Sequence, residues 1–146
     1  MAKEEILRQL KEIGPRLDKQ YGVSLIILFG SVASGYYQAG SGLSSDVDVA
    51  VYLMATDVEW KKQVRGGSWL SEYLFNSKLM LVGEFTDLLH TDSVDITLIN
   101  ECPPALKYEI FAKGILAYCR DEIELEEQYL AALRDYFDIQ PMLERQ

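Results

Sequence analysis

Ile6, Leu10, Ile13 and Leu17 return at intervals of four, three and four residues, the spacing of one face of an α-helix. Gly22 supplies its stop. Gly14-Pro15 falls inside the pattern and predicts a kink or a division into two helices. The period then changes. Val23-Ser24-Leu25-Ile26-Ile27-Leu28-Phe29 is an almost unbroken apolar run, as expected of a strand covered on both faces. It ends at Gly30-Ser31, where a helix could start. Over residues 46–53 the two classes alternate: Val47, Val49, Val51 and Leu53 point one way, Asp46, Asp48, Ala50 and Tyr52 the other. That is a second strand.

A mixed stretch, residues 58–90, follows, with Gly66-Gly67 as its break. Its later part, 68–89, carries Leu70, Leu74, Leu81, Phe85, Leu88 and Leu89 and predicts a helix, weakened at Gly83. Residues 93–99 read as a third strand. Pro103-Pro104 opens a short helix through Tyr108 and Phe111, since proline suits a first turn, and Gly114 ends it. Residues 115–118 form a short apolar strand. Asp121 is the N-cap of a last helix with acids in its first turn. That helix is expected to run to about Phe137, with Ile123, Leu130, Leu133 and Phe137 on one face. Helices alternating with strands predict an α/β (α+β) fold with helices on a sheet, and residues 1–146 suffice for one domain.

Composition narrows the chemistry. Hydrophobic residues make up 49% and charged residues 25%, the balance of a globular protein rather than a disordered chain. Acids outnumber bases 23 to 14, giving a net charge of −9, which argues against broad binding to nucleic acid through phosphate neutralisation. No apolar run approaches a membrane span, and acids interrupt the N-terminus before a signal-peptide core can form. Cys102 and Cys119 make no CxxC pair. A cytoplasmic protein is expected. His90 is the only histidine, so multi-histidine zinc sites are excluded, and its place before Thr91-Asp92 reads as a helix end. Whatever reaction occurs here must run on carboxylates.

Those carboxylates stand in the segment GSVASGYYQAGSGLSSDVDVAV, residues 30–51. Gly30 lets a ligand approach the backbone, while the Ser31 hydroxyl and the N–H groups of a helix start favour phosphate. Asp46 and Asp48 share a face of the following strand, ~6.6 Å apart along it, where they can converge on one metal or a metal pair. Two-metal phosphoryl and nucleotidyl transfer uses ions ~3.5–4 Å apart in such a cluster, and hard oxygen ligands favour Mg²⁺ or Mn²⁺. Asp95, near the start of the third strand, joins them if its strand neighbours residues 46–53. Other features have plainer readings: Gly40-Ser41-Gly42 as a loop, Lys61, Lys62 and Arg65 as a solvated helix face, and Tyr36-Tyr37 as loop aromatics.

Gly30-Ser31, Ser45-Asp46-Val47-Asp48 and Asp95 together resemble the GS…DxD…D signature of the minimal nucleotidyltransferases related to DNA polymerase β. Within that superfamily the chain is most similar to the MntA-type antitoxins, which are encoded beside HEPN-domain toxins of the HepT type. The likeness extends from Ile6 to Ile139, the tail 132–139 included. It implies a mixed sheet flanked by helices. It also implies two Mg²⁺ ions on Asp46, Asp48 and Asp95, with Asp95 assisting deprotonation, and nucleotide phosphates held at Gly30, Ser31 and Ser45. The activity it implies is transfer of AMP from ATP to a tyrosine of the HEPN RNase toxin. One departure is visible: the segment 32–45 between Ser31 and Asp46 is a few residues longer than is usual in the family, an extension that costs little closure entropy. Two other readings share these residues: an antitoxin that neutralises by contact alone, and an enzyme that modifies a small molecule such as an aminoglycoside.

Overall fold

The computed structural model describes residues 2–34, 46–54 and 69–144. Helix α1, Lys3–Tyr21, presents Ile6, Leu10, Ile13, Leu17 and Tyr21 to the core and stops at Gly22. Gly22 has φ 78°, and its N–H donates to Asp18 O at 2.8 Å, a left-handed C-cap that glycine adopts without strain.

Of the two outcomes expected at Gly14-Pro15, division does not occur: α1 runs unbroken through both residues. Gly14 is instead a packing contact: a Cβ there would stand 2.5 Å from Cδ2 of the Tyr118 ring. Pro15 and Lys11 lie on the exposed side, so the carbonyl that proline deprives of a partner is open to water.

Strand β1, Val23–Phe29, leads into the short helix α2, Gly30–Ser34, and β2 is Val47–Leu53. Helix α3, Trp69–Leu89, is continuous through Gly83, whose α-carbon faces open space. Leu70 is exposed, whereas Tyr73, Leu74, Leu81, Phe85 and Leu89 are buried. His90 follows in the left-handed region (φ 53°), and Thr91 N–H donates back to Thr86 O at 3.3 Å. The histidine is an exposed helix cap, as its sequence position suggested.

Strand β3, Val94–Leu98, runs into a single 3₁₀ turn, Ile99–Glu101. There the Asn100 amide accepts from Leu53 N–H (2.9 Å) and donates to Leu53 O (2.8 Å), closing the far end of β2. Helix α4, Pro104–Lys113, begins on its proline as expected, and β4 is Ile115–Cys119. Helix α5, Glu122–Glu144, outlasts the expected end near Phe137 and continues past Pro141. Asp121 caps it, accepting Ile123 N–H at 2.9 Å.

The four strands form one mixed sheet in the order β3-β2-β1-β4, with β1 antiparallel to both neighbours and β2 parallel to β3. Val47, Val49, Val51 and Leu53 face a core built with α1 and α3, while Ala50 and Ile27 face a smaller core with Ile99 and Ile110 of α4. The alternation read from β2 is therefore correct. Strand β1 is buried on both faces because it is central and covered from both sides. Arg120 ties the far end of the sheet: its guanidinium donates to Asp18 Oδ1 (2.6 Å) and Met54 O (2.9 Å), and Tyr118 Oη donates to Asp18 Oδ2 (2.6 Å). Among the described residues no helix is long and apolar enough to cross a membrane.

Candidate active site

The C-terminal end of β1 and the N-terminal ends of β2 and β3 meet at one edge of the sheet, and the acids stand there. Parallel pairing puts Asp48 directly beside Asp95, and on its other side Asp48 pairs with Phe29. Adjacent strands lie ~4.8 Å apart, so Asp48 and Asp95 are neighbours without any turn between them. Val47 N–H donates to Ser93 O at 2.8 Å and fixes that register. Asp46 precedes Asp48 by two positions and is exposed, like Asp95; Asp48 is half-buried.

This placement leaves a mark on Asp48. Burial pushes its carboxyl above the usual carboxylate range, and the charges of Asp95 and Asp46 push it further in the same direction. Asp48 thus feels two like charges, a repulsion that a bound cation relieves.

Gly30 sits against the same carboxylate. Its φ is +77°, and a Cβ built on it would overlap Asp48 Oδ2 and stand 3.0 Å from Cγ. Sequence reasoning assigned Gly30 to phosphate approach. The structure adds a second demand, since glycine is needed for Asp48 to lie where it does. Helix α2 starts on Gly30, one residue earlier than expected; Val32 and Ala33 anchor it in the core, and Ser34 Oγ donates to Ser31 O at 3.1 Å. Ser31 is half-buried beside the acids' edge.

Ser45, Tyr36-Tyr37, Gly40-Ser41-Gly42, Lys61, Lys62, Arg65 and Gly66-Gly67 lie outside the described residues, as does most of the extended segment 32–45. Phe29, which flanks Asp48, was missed because in sequence it is one more apolar residue of a buried run.

The three candidate ligands offer carboxylate oxygens, a donor set that suits a hard divalent cation. Among the described residues, no group of three acidic, histidine or cysteine side chains is gathered closely enough to form a ready metal shell. The backbone register brings Asp48 and Asp95 side by side, and carboxylates without a shared cation repel one another. By chemistry the acids suit a divalent metal, and the register brings two of them, Asp48 and Asp95, side by side.

Comparison with known proteins bears on the family and the fold. The family model for "Polymerase beta, Nucleotidyltransferase" matches residues 11–123. No curated protein matches the chain. Among solved structures, a chain of a toxin–antitoxin complex crystallised with AMP-PNP superposes with a TM-score of 0.64 at 17% identity, covering 92% of this chain and 93% of that one. A chain of the complex of tri-AMPylated Shewanella oneidensis HEPN toxin with MNT antitoxin gives 0.61 at 15% identity, covering 95% and 93%. A chain of an MntA–HepT complex gives 0.59 at 16% identity, covering 93% and 92%. At such identities these likenesses speak to the fold. The family match spans most of the chain, including the Gly30-Ser31 turn and all three acids, and the chain belongs to the polymerase β nucleotidyltransferase family.

Proposed function

We propose that this protein is an antitoxin that transfers AMP from ATP to a tyrosine of a HEPN-domain RNase toxin of the HepT type. The observation that carries this reading is Asp48 in register with Asp95 and two residues from Asp46, set against the Gly30-Ser31 turn. Structures of the same fold include complexes crystallised with AMP-PNP and with tri-AMPylated HEPN toxin, which supports ATP as donor and the toxin as acceptor.

Asp46, Asp48 and Asp95 are the residues that would hold Mg²⁺, or Mn²⁺ in its place. When bound, such ions offset charge on the triphosphate and favour the ionised acceptor hydroxyl. The chain's own residues do the rest. Gly30, lacking a side chain, leaves the backbone open to the phosphates, and Ser31 lines the turn that receives them, with Ser45 as a further phosphate contact. Asp95, exposed at the start of β3, accepts the proton of the acceptor hydroxyl. The tyrosine oxygen then bonds to the α-phosphorus, the bond from that phosphorus to the bridging oxygen breaks, and pyrophosphate leaves. The cytoplasm, where ATP and RNA are both present, is the expected compartment.

The test is stoichiometric. A small amount of this protein with ATP and Mg²⁺ should silence an excess of its cognate HEPN protein. That protein should gain AMP-sized mass increments and stay inactive after the antitoxin is removed. Protection that needs a full equivalent, leaves toxin mass unchanged and survives Asn at Asp46, Asp48 and Asp95 would mean neutralisation by contact alone.

A further inference from the structure

Helix α5 carries an apolar face that the fold does not use. Ile123, Leu130 and Phe137 recur every seventh residue and are 66%, 54% and 58% exposed. The same helix meets α4 through other residues: Tyr136 stacks on Tyr108 at 4.2 Å, and Tyr129 meets Phe111 edge-on at 5.7 Å. The exposed residues thus form a second apolar face, half-buried Leu133 lying between Leu130 and Phe137. A seven-residue repeat of this kind is the seam along which a second helix lies.

A cavity opens beside that face. Ile27, Ile110, Phe111, Leu125 and Tyr129 wall a space of about 320 Å³, and Glu122 and Glu126 stand in its lining. Glu126 is three residues after Ile123 and four before Leu130, so it borders both on the helix surface. The stripe and the cavity are therefore one continuous feature, apolar within and acidic at the border.

The flanking charge selects the occupant. Glu122, Glu126, Glu127 and Asp138 accompany the stripe as exposed acids, while Glu124 and Asp135 pair with Arg120 and Arg134. A second copy of this chain would bring the same acids against these, and like charges facing one another across an interface are unfavourable.

We infer that the α5 stripe and its adjoining cavity are the docking surface for the toxin. Its occupant is a helix of that partner presenting an apolar ridge flanked by lysines or arginines, with one long cationic side chain laying its aliphatic stem in the cavity and its charge at Glu122 and Glu126. Lys and Arg bury their stems on apolar surface in this way. The inference rests on the proposed function for the partner's identity, but not on catalysis.

The experiment measures binding of the purified cognate HEPN protein to full-length variants. Leu130→Lys and Glu126→Lys alter exposed helix positions and should leave the thermal melt unchanged. Binding of AMP-PNP with Mg²⁺ should also be unchanged. Each should weaken toxin binding about 30-fold or more, the scale of an interface hot spot, and wild-type binding should weaken as salt rises. Phe75→Lys/Leu79→Lys, on the exposed side of α3 across the sheet, should bind toxin normally. Unchanged toxin binding by both α5 variants would overturn the inference, as would loss only in the α3 variant or failure of the wild type to bind the toxin. A wild-type dimer that Leu130→Lys dissolves would assign the stripe to a second copy and overturn it too. If toxin binds through α5 yet never gains AMP, the catalytic reading falls and the docking surface stands.

Discussion

Substituting Gly30 by Ala separates two demands that converge on one position. Its φ of +77° lies where a side chain costs roughly 1–2 kcal/mol. The added Cβ would also overlap Asp48 Oδ2 and press on Cγ at 3.0 Å, and overpacking of this kind costs about 1–3 kcal/mol. The two contributions together predict a loss of roughly 2–5 kcal/mol. Each kcal/mol lowers Tm by roughly 3–5 °C in a domain of this length. The second contribution belongs to a contact, so it disappears when the contacting atoms do. In an Asp48→Ala background the same Gly30→Ala change should cost only the conformational part, about 1–2 kcal/mol. Urea titration of the four proteins in a double-mutant cycle, without divalent metal, reads the difference as a coupling energy of about 1–3 kcal/mol. Gly30→Asn sharpens the test, because asparagine tolerates the left-handed region yet still brings a Cβ. It should fail to rescue. Equal cost of Gly30→Ala in both backgrounds, or full rescue by Asn, would show that backbone strain alone governs the site and that Asp48 is not held by this contact.

Two further outcomes follow from the charges. Asp48→Asn should stabilise the metal-free protein at neutral pH, because burial and the Asp95 and Asp46 charges disfavour the ionised carboxyl. The raised folded pKa means that stability is lost as pH climbs from the ordinary carboxylate value through the folded one. Added Mg²⁺ should raise the wild-type Tm and move the variant little, so a Mg²⁺ response unaltered by the substitution would refute the metal assignment. The Tyr118 phenol is pushed up to about 12, by burial first and then by its hydrogen bond to Asp18. Stability should therefore fall as pH rises from the ordinary tyrosine value of about 10 towards 12. Tyr118→Phe should flatten that slope, and a slope unaffected by it would assign the titration elsewhere.

The strands were legible because their patterns have one explanation each. Alternation over 46–53 marks a strand with two unlike faces, and the short run Val23–Phe29, bounded by Gly22 and Gly30 and rich in β-branched and aromatic residues, marks a strand covered twice. Partner and direction were not legible. Nothing in the Asp95 segment says that it pairs with β2 in parallel, although that pairing alone brings the third acid to the other two. That Gly14-Pro15 leaves α1 undivided was not legible for a related reason. A glycine and a proline weaken a helix locally, but the Tyr118 ring that occupies the missing Cβ comes from more than a hundred residues along the chain. A local rule cannot weigh a contact supplied by tertiary structure.

Helix α5 marks a different boundary of what periodicity tells. Ile123, Leu130, Leu133 and Phe137 share a face in the sequence pattern, and the structure leaves Ile123, Leu130 and Phe137 exposed on it rather than packed in the core. Removing apolar surface from water gains about 25 cal/mol per Å² whichever molecule covers it. Hydrophobic spacing is accordingly the same for a helix that closes its own core and for one that meets a partner. The flanking residues carry the distinction. Along α1 the exposed side mixes Arg8, Glu12 and Arg16, and these pair within the fold, Arg8 with Glu5 and Glu12, and Arg16 with Glu84. Along α5, Glu126, Glu127 and Asp138 border the apolar stripe with Arg134 as the intervening base. A core-facing stripe has no use for such a one-signed margin, whereas a stripe that must admit a basic partner and repel its own copy requires it.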